Sequence, residues 1–135
     1  MTTPRGERPR HPRVLIFEDD PAFRMVLVEF FADEGFDVAT CDSYAQLHQA
    51  VRSPERQIVL ADFWGTSHAE LSQAERDQVR DVARYAPMIL LTGRSWAARV
   101  SARDLGVVCV VSKPLMLDAL MAEVLGCSYG VAASE

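Results

Sequence analysis

Five short runs of apolar residues recur along the chain, each separated from the next by a more polar stretch. The runs cover residues 14–17, 36–41, 58–61, 88–91 and 107–111. Four of them are apolar at every position, which is typical of strands that are buried on both faces of a parallel sheet. The pattern therefore predicts five largely buried strands.

Stretches with helical periodicity alternate with these strands. The first helix is predicted to begin at Pro21, with Asp20 as its N-cap, and to end at Gly35, because proline fits the first turn and glycine the C-terminal cap. The apolar residues on its predicted inner face are Phe23, Val26, Leu27, Phe30 and Phe31. Four further helices are predicted: one from Asp42 or Ser43 to Val51, and three over residues 69–84, 95–105 (capped by Gly106) and 117–125. This alternation predicts an α/β fold, a five-stranded parallel sheet with helices on both faces.

The composition fits one globular domain. The chain has 135 residues, of which 49% are hydrophobic and 24% are charged, as in an ordinary globule. No apolar run approaches the ~20 residues of a membrane-spanning helix, and the N-terminus lacks the apolar segment of a secretory signal. The three cysteines form no CxxC pair, which favours a reducing compartment. We therefore expect a cytoplasmic protein without a membrane segment.

Charge is distributed unevenly along the chain. The net charge is −5, yet residues 1–13 contain four arginines and one glutamate, so the remainder is strongly acidic. An acidic body is unsuited to a broad nucleic-acid interface. We expect residues 1–12 to be a disordered, basic, proline-rich leader, residues 13–126 to form the domain and residues 127–135 to be a flexible tail.

Polar side chains with complementary chemistry follow four of the predicted strands. Glu18 and Asp19 follow the first, Asp62 the third, Thr92 the fourth and Lys113 the fifth. We expect these side chains to meet, because open parallel sheets bind ligands at the carboxyl ends of their strands. Oxygen-only ligands suit a hard cation such as Mg²⁺, and a hydroxyl with an ammonium suits phosphoryl oxygens. Lys113 is the single lysine beside thirteen arginines, which favours a position that needs a compact charge.

The segments VLIFEDDP, IVLAD, MILLTG and VVSKP, together with their spacing, resemble the receiver domain of two-component response regulators over residues 13–125. The resemblance implies a flavodoxin-like receiver fold. It also implies that Asp62 is the phosphoacceptor, Thr92 the switch hydroxyl and Lys113 the ammonium that binds the phosphoryl group. The Mg²⁺ ligands that it implies are Glu18, Asp19, Asp62 and the backbone carbonyl of Trp64. Asp20 is expected to cap a helix instead.

The same resemblance implies a role in a phosphorelay. A sensor histidine kinase or a phosphotransfer protein would phosphorylate Asp62 with Mg²⁺, and the protein would be a phosphoacceptor rather than a turnover enzyme. No DNA-binding module follows Leu125 in the sequence, so we expect output through contacts with an unidentified downstream protein, with homodimerisation left open.

Two features depart from the family pattern. Val110 stands where members usually carry an aromatic residue, and the loop of residues 63–68 lacks the usual Pro and Met-Asp-Gly. An alternative function is therefore a receiver-like interaction module that is not phosphorylated and uses its fourth helix and fifth strand constitutively. A haloacid-dehalogenase-like phosphatase would need its nucleophile within Asp-x-Asp after the first strand, which Glu18-Asp19-Asp20 does not supply.

Overall fold

The computed structural model describes residues 11–62, 71–93 and 100–128 of the chain. Strands and helices alternate within these residues, and their bounds are β1 Arg13–Glu18, α1 Pro21–Asp33, β2 Val38–Thr40, α2 Tyr44–Val51, β3 Gln57–Asp62, α3 Gln73–Ala83, β4 Met88–Thr92, α4 Ala102–Leu105, β5 Cys109–Ser112 and α5 Leu117–Ser128. All strands are parallel, and they form one sheet in the order β2-β1-β3-β4-β5. The predicted five-stranded parallel α/β fold is confirmed.

The two edge strands differ from the prediction. The second strand was predicted over residues 36–41 but covers only Val38–Thr40, and the fifth was predicted over residues 107–111 but covers Cys109–Ser112. No residue of either strand is fully buried, because each strand has a neighbour on one side only.

Helices cover both faces of the sheet, because alternate residues of each central strand point to opposite sides. On β1, Val14 and Ile16 join the core beneath α1 and α5, whereas Leu15 and Phe17 join the core beneath α2, α3 and α4. Each of these four strand residues is at most 6% exposed. No helix in the described part of the chain is long and apolar enough to cross a membrane.

Helix α1 begins as predicted. Asp20 is its N-cap, and its carboxylate accepts hydrogen bonds from the backbone N–H groups of Ala22 (3.0 Å) and Phe23 (3.4 Å). The helix ends one residue earlier than predicted, because Glu34 is the C-cap and Gly35 follows it with φ of 95°. Val26 was predicted on the inner face but is 44% exposed, since it lies beside the stripe that packs on the sheet.

Serine caps move the start of three helices. The second helix begins after Ser43, whose hydroxyl accepts a hydrogen bond from the Gln46 N–H at 3.1 Å. The third helix was predicted from residue 69 but begins after Ser72, which forms a capping box with Glu75. The fourth was predicted over residues 95–105. Residues 94–99 lie outside the described part, and Val100 is not helical because the extended Ser101 caps α4 by accepting a hydrogen bond from the Asp104 N–H at 3.3 Å. The predicted cap Gly106 is confirmed, with φ of 77°.

Helix α5 is longer than predicted and reaches into the segment expected to be a flexible tail. It continues beyond Leu125 to Ser128, whose hydroxyl donates to the carbonyl of Val124 at 2.8 Å. The carbonyl of Ser128 in turn accepts a hydrogen bond of 2.7 Å from Arg56. The first of these bonds lies within α5, and the second fixes the end of the helix against the body of the domain.

Candidate functional site

The strand ends bring the predicted site residues together at one edge of the sheet. Glu18 is the last residue of β1 and Asp62 the last of β3, and the two are direct partners in the strand register. Thr92 ends β4 and is paired with Ser112 of β5, so Lys113 follows immediately beyond that pair. The parallel register therefore places residues that are distant in sequence at the same level of the sheet.

Lys113 links the two strand-end carboxylates. Its Nζ donates a hydrogen bond to Glu18 Oε1 at 3.0 Å and another to Asp62 Oδ2. Its backbone N–H donates to the carbonyl of Thr92 at 2.7 Å, and the peptide bond that joins it to Pro114 is cis. The lysine is thus held at its backbone by β4 and at its ammonium by β1 and β3.

Three carboxylates form a candidate cation site beside this ammonium. Glu18, Asp19 and Asp62 each offer an oxygen, and these oxygens lie within 4.8 Å of one another. Glu18 is buried, Asp62 is half-buried and Asp19 is exposed, so the cluster opens to solvent on the Asp19 side. Three ionised carboxylates and one ammonium leave a net charge of about −2, which a divalent cation would neutralise. The donor set therefore fits Mg²⁺, which prefers oxygen ligands.

Burial and neighbouring charges shift the pKa values of Glu18 and Lys113. Burial raises the pKa of Glu18, and the charge of Asp62 raises it further, against the lowering effect of the hydrogen bonds from Lys113 and the Asp20 N–H. Burial alone would lower the pKa of Lys113, but the hydrogen bonds and charges of Asp62 and Glu18 outweigh it and raise the pKa. Lys113 is therefore a cation at neutral pH, and the ionised Glu18 is a group that a further cation would stabilise.

Helix α1 fixes Glu18 from the other side. The backbone N–H of Asp20 donates to Glu18 Oε2 at 3.1 Å, and Arg24 Nη1 donates to the Glu18 carbonyl at 2.9 Å. The ring of Phe23 lies beside Lys113, with its centroid 4.6 Å from Nζ. Sequence reasoning placed Phe23 only on the packing face of α1 and did not single out Arg24, because helical spacing indicates which residues face the sheet and not which of them contact a site.

The predicted switch residue Thr92 and the atypical Val110 are both in described parts of the chain, whereas Trp64 is not. Thr92 is only 2% exposed at the end of β4. Val110 is half-buried, is paired with Leu90 across β4 and β5, and packs against the core beneath α2, α3 and α4. The predicted backbone ligand Trp64 and the rest of the loop of residues 63–68 lie outside the described residues.

The two histidines in the described part of the chain, His11 and His48, contribute to packing and helix pairing. His11 stacks on Phe36 with a centroid distance of 4.1 Å. His48 of α2 lies 2.5 Å from Asp81 of α3, which joins these two helices. Among the described residues, no second group of three His, Cys, Asp or Glu side chains converges as the Glu18 group does. The acidic group at the sheet edge is therefore the candidate site.

Fold and site together define a class of protein: a doubly wound α/β domain with an acidic pocket at the carboxyl edge of its sheet. Comparison with known sequences makes the family definite. The model of the response regulator receiver domain matches residues 14–125, so the chain belongs to the response regulator receiver domain family. The resemblance found in the sequence is confirmed. No curated protein sequence gives a significant match.

Solved structures of receiver proteins are similar to this chain. The receiver domain of TorR, a response regulator of the TMAO respiratory system, has a TM-score of 0.70 at 25% identity, covering 92% of this chain and 100% of that one. A two-component response regulator from Clostridium difficile has a TM-score of 0.71 at 16% identity, covering 90% and 99%. Full-length FixJ from B. japonicum has a TM-score of 0.72 at 19% identity, and the alignment covers 93% of this chain but 61% of FixJ. The last two likenesses show the fold alone.

Proposed function

We propose that this receiver domain is a phosphoacceptor, that Asp62 takes the phosphoryl group, and that the donor is a phosphohistidine of a sensor histidine kinase or a phosphotransfer protein. The observation that carries the proposal is the position of Asp62. Its carboxylate contacts the ammonium of Lys113 on one side and belongs to the Glu18–Asp19–Asp62 group on the other. Positive charge beside a nucleophile reduces its repulsion with an anionic phosphoryl donor, and Asp62 lies next to both an ammonium and a candidate cation site.

The proposed transfer balances without an added acid or base. An ionised oxygen of Asp62 forms a bond to phosphorus while the P–N bond of the phosphohistidine breaks. The electron pair of that bond returns to the imidazole nitrogen of the donor. The other ring nitrogen of the donor already carries a proton, so the donor leaves as a neutral imidazole and Asp62 becomes an acyl phosphate. The chain's own contribution is to place the nucleophile and to neutralise charge.

Each neighbour of Asp62 has a distinct part in this proposal. Glu18, Asp19 and Asp62 would hold Mg²⁺, with the carbonyl of Trp64 as the ligand that the family resemblance adds. The bound cation would neutralise charge on the donor's phosphoryl oxygens. The hydrogen bond that Lys113 donates to Asp62 would be replaced by one to a phosphoryl oxygen. The Thr92 hydroxyl would donate a hydrogen bond to a second phosphoryl oxygen.

The signal would leave the domain through protein contacts. Phosphorylation would replace the ion pair between Asp62 and Lys113 with contacts to the phosphoryl group. This change would shift the conformational equilibrium of the strand ends and of the loops that follow them. Val110 supports an alternative, an interaction module that needs no phosphorylation, because valine has no ring to move in response. The two functions differ in whether Asp62 accepts a phosphoryl group at all.

A phosphate-affinity gel tests the proposal. The native chain is incubated with acetyl phosphate, with and without Mg²⁺, and we expect a shifted band only with the ion. Asp62→Asn should abolish the shift and Asp19→Ala should nearly abolish it. Asp33→Asn, an exposed aspartate of α1, is the matched control and should label as the native chain does. Undiminished labelling of Asp62→Asn would overturn the assignment.

A further inference from the structure

The ammonium of Lys113 has a third neighbour besides its two carboxylates. Phe23 lies on α1, and its ring centroid is 4.6 Å from Nζ, within the distance at which an aromatic face attracts a cation. The lysine side chain is 24% exposed, so this contact is partly shielded from water. Glu18, Asp62 and Phe23 thus hold the ammonium from three separate elements, β1, β3 and α1.

The proposed phosphorylation would weaken the contacts of Lys113 with the two carboxylates but not its contact with the Phe23 ring. Both carboxylates belong to the group of oxygens that lie within 4.8 Å of one another, so a bound cation would compete with Lys113 for them. Asp62 would also lose its charge contact on becoming an acyl phosphate. The Phe23 ring has no lone pair to give to a cation site, so its attraction for the ammonium does not depend on the state of Asp62.

We propose that Phe23 is a positioning residue for Lys113, and that its ring keeps the ammonium beside Asp62 while the lysine exchanges carboxylate oxygens for phosphoryl oxygens. This inference rests on the proposed function. It assigns to α1 a part in phosphoryl transfer that is separate from metal binding.

The start of α1 makes the ring a rigid partner. Asp20 caps the helix and accepts a hydrogen bond from the Phe23 N–H at 3.4 Å. Pro21 occupies the first turn, where its fixed φ preorganises the helix. The Phe23 side chain is half-buried and packs against the core beneath α1 and α5. The cap therefore holds the backbone of Phe23, and packing against the core restricts its ring, without any bound ligand.

The single lysine of the chain permits a direct measurement of this contact. Lysine labelled with ¹³C and ¹⁵N gives NMR signals from Lys113 alone, in the protein without Mg²⁺ or donor. A ring next to Nζ shifts the protons of the lysine ε-methylene upfield. We expect this shift in the native chain and in Phe23→Tyr, which keeps a ring, and its loss in Phe23→Leu, which keeps apolar bulk.

The second readout is the initial rate of labelling by acetyl phosphate with Mg²⁺. Phe23→Leu should lower this rate about two- to fivefold, the range expected for a partly exposed cation–π contact, and Phe23→Tyr should restore it. Phe30→Leu is the matched control, because Phe30 is also half-buried on α1 and packs against the same core. It should leave both the rate and the lysine shift at their native values.

The outcomes separate this inference from the proposed function. A native chain that takes label, together with an unchanged rate in Phe23→Leu or an equal loss in Phe30→Leu, overturns the positioning role alone. Absence of the upfield lysine shift in the native chain also overturns it. A native chain that takes no label overturns the proposed function and this role with it, whereas the lysine shift still reports whether the contact exists.

Discussion

At the scale of single residues, the site depends on one ammonium among many guanidinium groups. Lys113 contacts Glu18 Oε1, Asp62 Oδ2 and the ring of Phe23 through a single nitrogen atom. A lysine ammonium is a point charge with three donors, whereas a guanidinium is a planar fork that cannot direct donors around one point. The geometry explains why the only lysine of the chain stands here.

Replacing Lys113 by arginine tests whether the site needs a compact ammonium. Lys113→Arg keeps the charge but should lower the labelling rate by about tenfold or more, since one charge-assisted hydrogen bond contributes about 1.5–3 kcal/mol. The measurement is the initial rate on a phosphate-affinity gel. The matched control is Arg52→Lys, the reverse exchange at an exposed position, which should have no effect. A native rate in Lys113→Arg would show that only the charge matters.

Glu18 gives a prediction for pH. Burial raises the pKa of Glu18 above its ordinary value of 4.5, so the folded chain disfavours its ionisation. For a raised pKa, the contribution to stability is fully present below the unfolded value and is lost as the pH rises through the folded value. The metal-free native chain should therefore lose stability relative to Glu18→Gln between about pH 4 and about pH 7.

Urea unfolding in EDTA measures this difference at the two pH values. Glu29→Gln, at an exposed position of α1, is the control for removing a carboxylate without removing a buried one. If the native chain and Glu18→Gln differ by the same free energy of unfolding at both pH values, burial does not govern the ionisation of Glu18.

At the scale of elements, the amino end of α1 supports the site in three ways. Asp20 caps the helix, Phe23 contacts the Lys113 ammonium, and Arg24 binds the Glu18 carbonyl. The two aspartates of the β1–α1 turn therefore differ in position: Asp20 caps the helix, whereas Asp19 belongs to the candidate cation site.

Substituting Asp20 tests whether it only caps α1 or also binds the cation. Asp20→Ala should lower the free energy of unfolding by about 1 kcal/mol, the usual cost of losing an N-cap, whereas Asp20→Asn should keep most of it. Because Asp20 serves the helix, Asp20→Asn should also keep native Mg²⁺-dependent labelling. A loss of labelling in Asp20→Asn as complete as in Asp19→Ala would make Asp20 a ligand.

Element identity was predictable to different degrees along the chain. The three central strands were predicted well, because a continuous apolar run of four or five residues in a chain of alternating elements has few other uses. The bounds of the edge strands β2 and β5 were not, because an edge strand pairs on one side only and its apolar run need not be paired throughout. The start of α4 was not, because the Ser101 hydroxyl accepts a hydrogen bond from the Asp104 N–H and so makes the extended Ser101 the N-cap of this helix. Val26 was misplaced because apolar residues beside a helix stripe are not all needed for packing.

At the scale of the whole molecule, the sheet itself explains which site residues were predictable. Glu18, Asp62, Thr92 and Lys113 were found because parallel strands gather their carboxyl ends at one edge. Phe23 and Arg24 were not, because their contacts depend on how α1 docks onto that edge, and periodicity does not fix this. The sequence pattern thus predicts the strand-end half of the site and leaves the helical half to the tertiary structure.

Val110 bears on how the whole domain responds. A valine paired with Leu90 and packed on the core has no ring to rotate, so we expect β5 to respond weakly to phosphorylation. Hydrogen exchange with and without a beryllofluoride phosphoryl analogue should show larger changes in the segment after Thr92 than in β5. Protection changes confined to β5 would contradict this expectation.

The most direct test of the central claim is to find the modified atom. Sodium borohydride reduces an aspartyl phosphate to homoserine, which peptide mass spectrometry locates in the sequence. After incubation with acetyl phosphate and Mg²⁺, we predict homoserine at position 62 and at no other aspartate, and none when Mg²⁺ is withheld. Homoserine at another position, or its absence from position 62 in a chain that labels on the gel, would contradict the assignment of Asp62 as the phosphoacceptor.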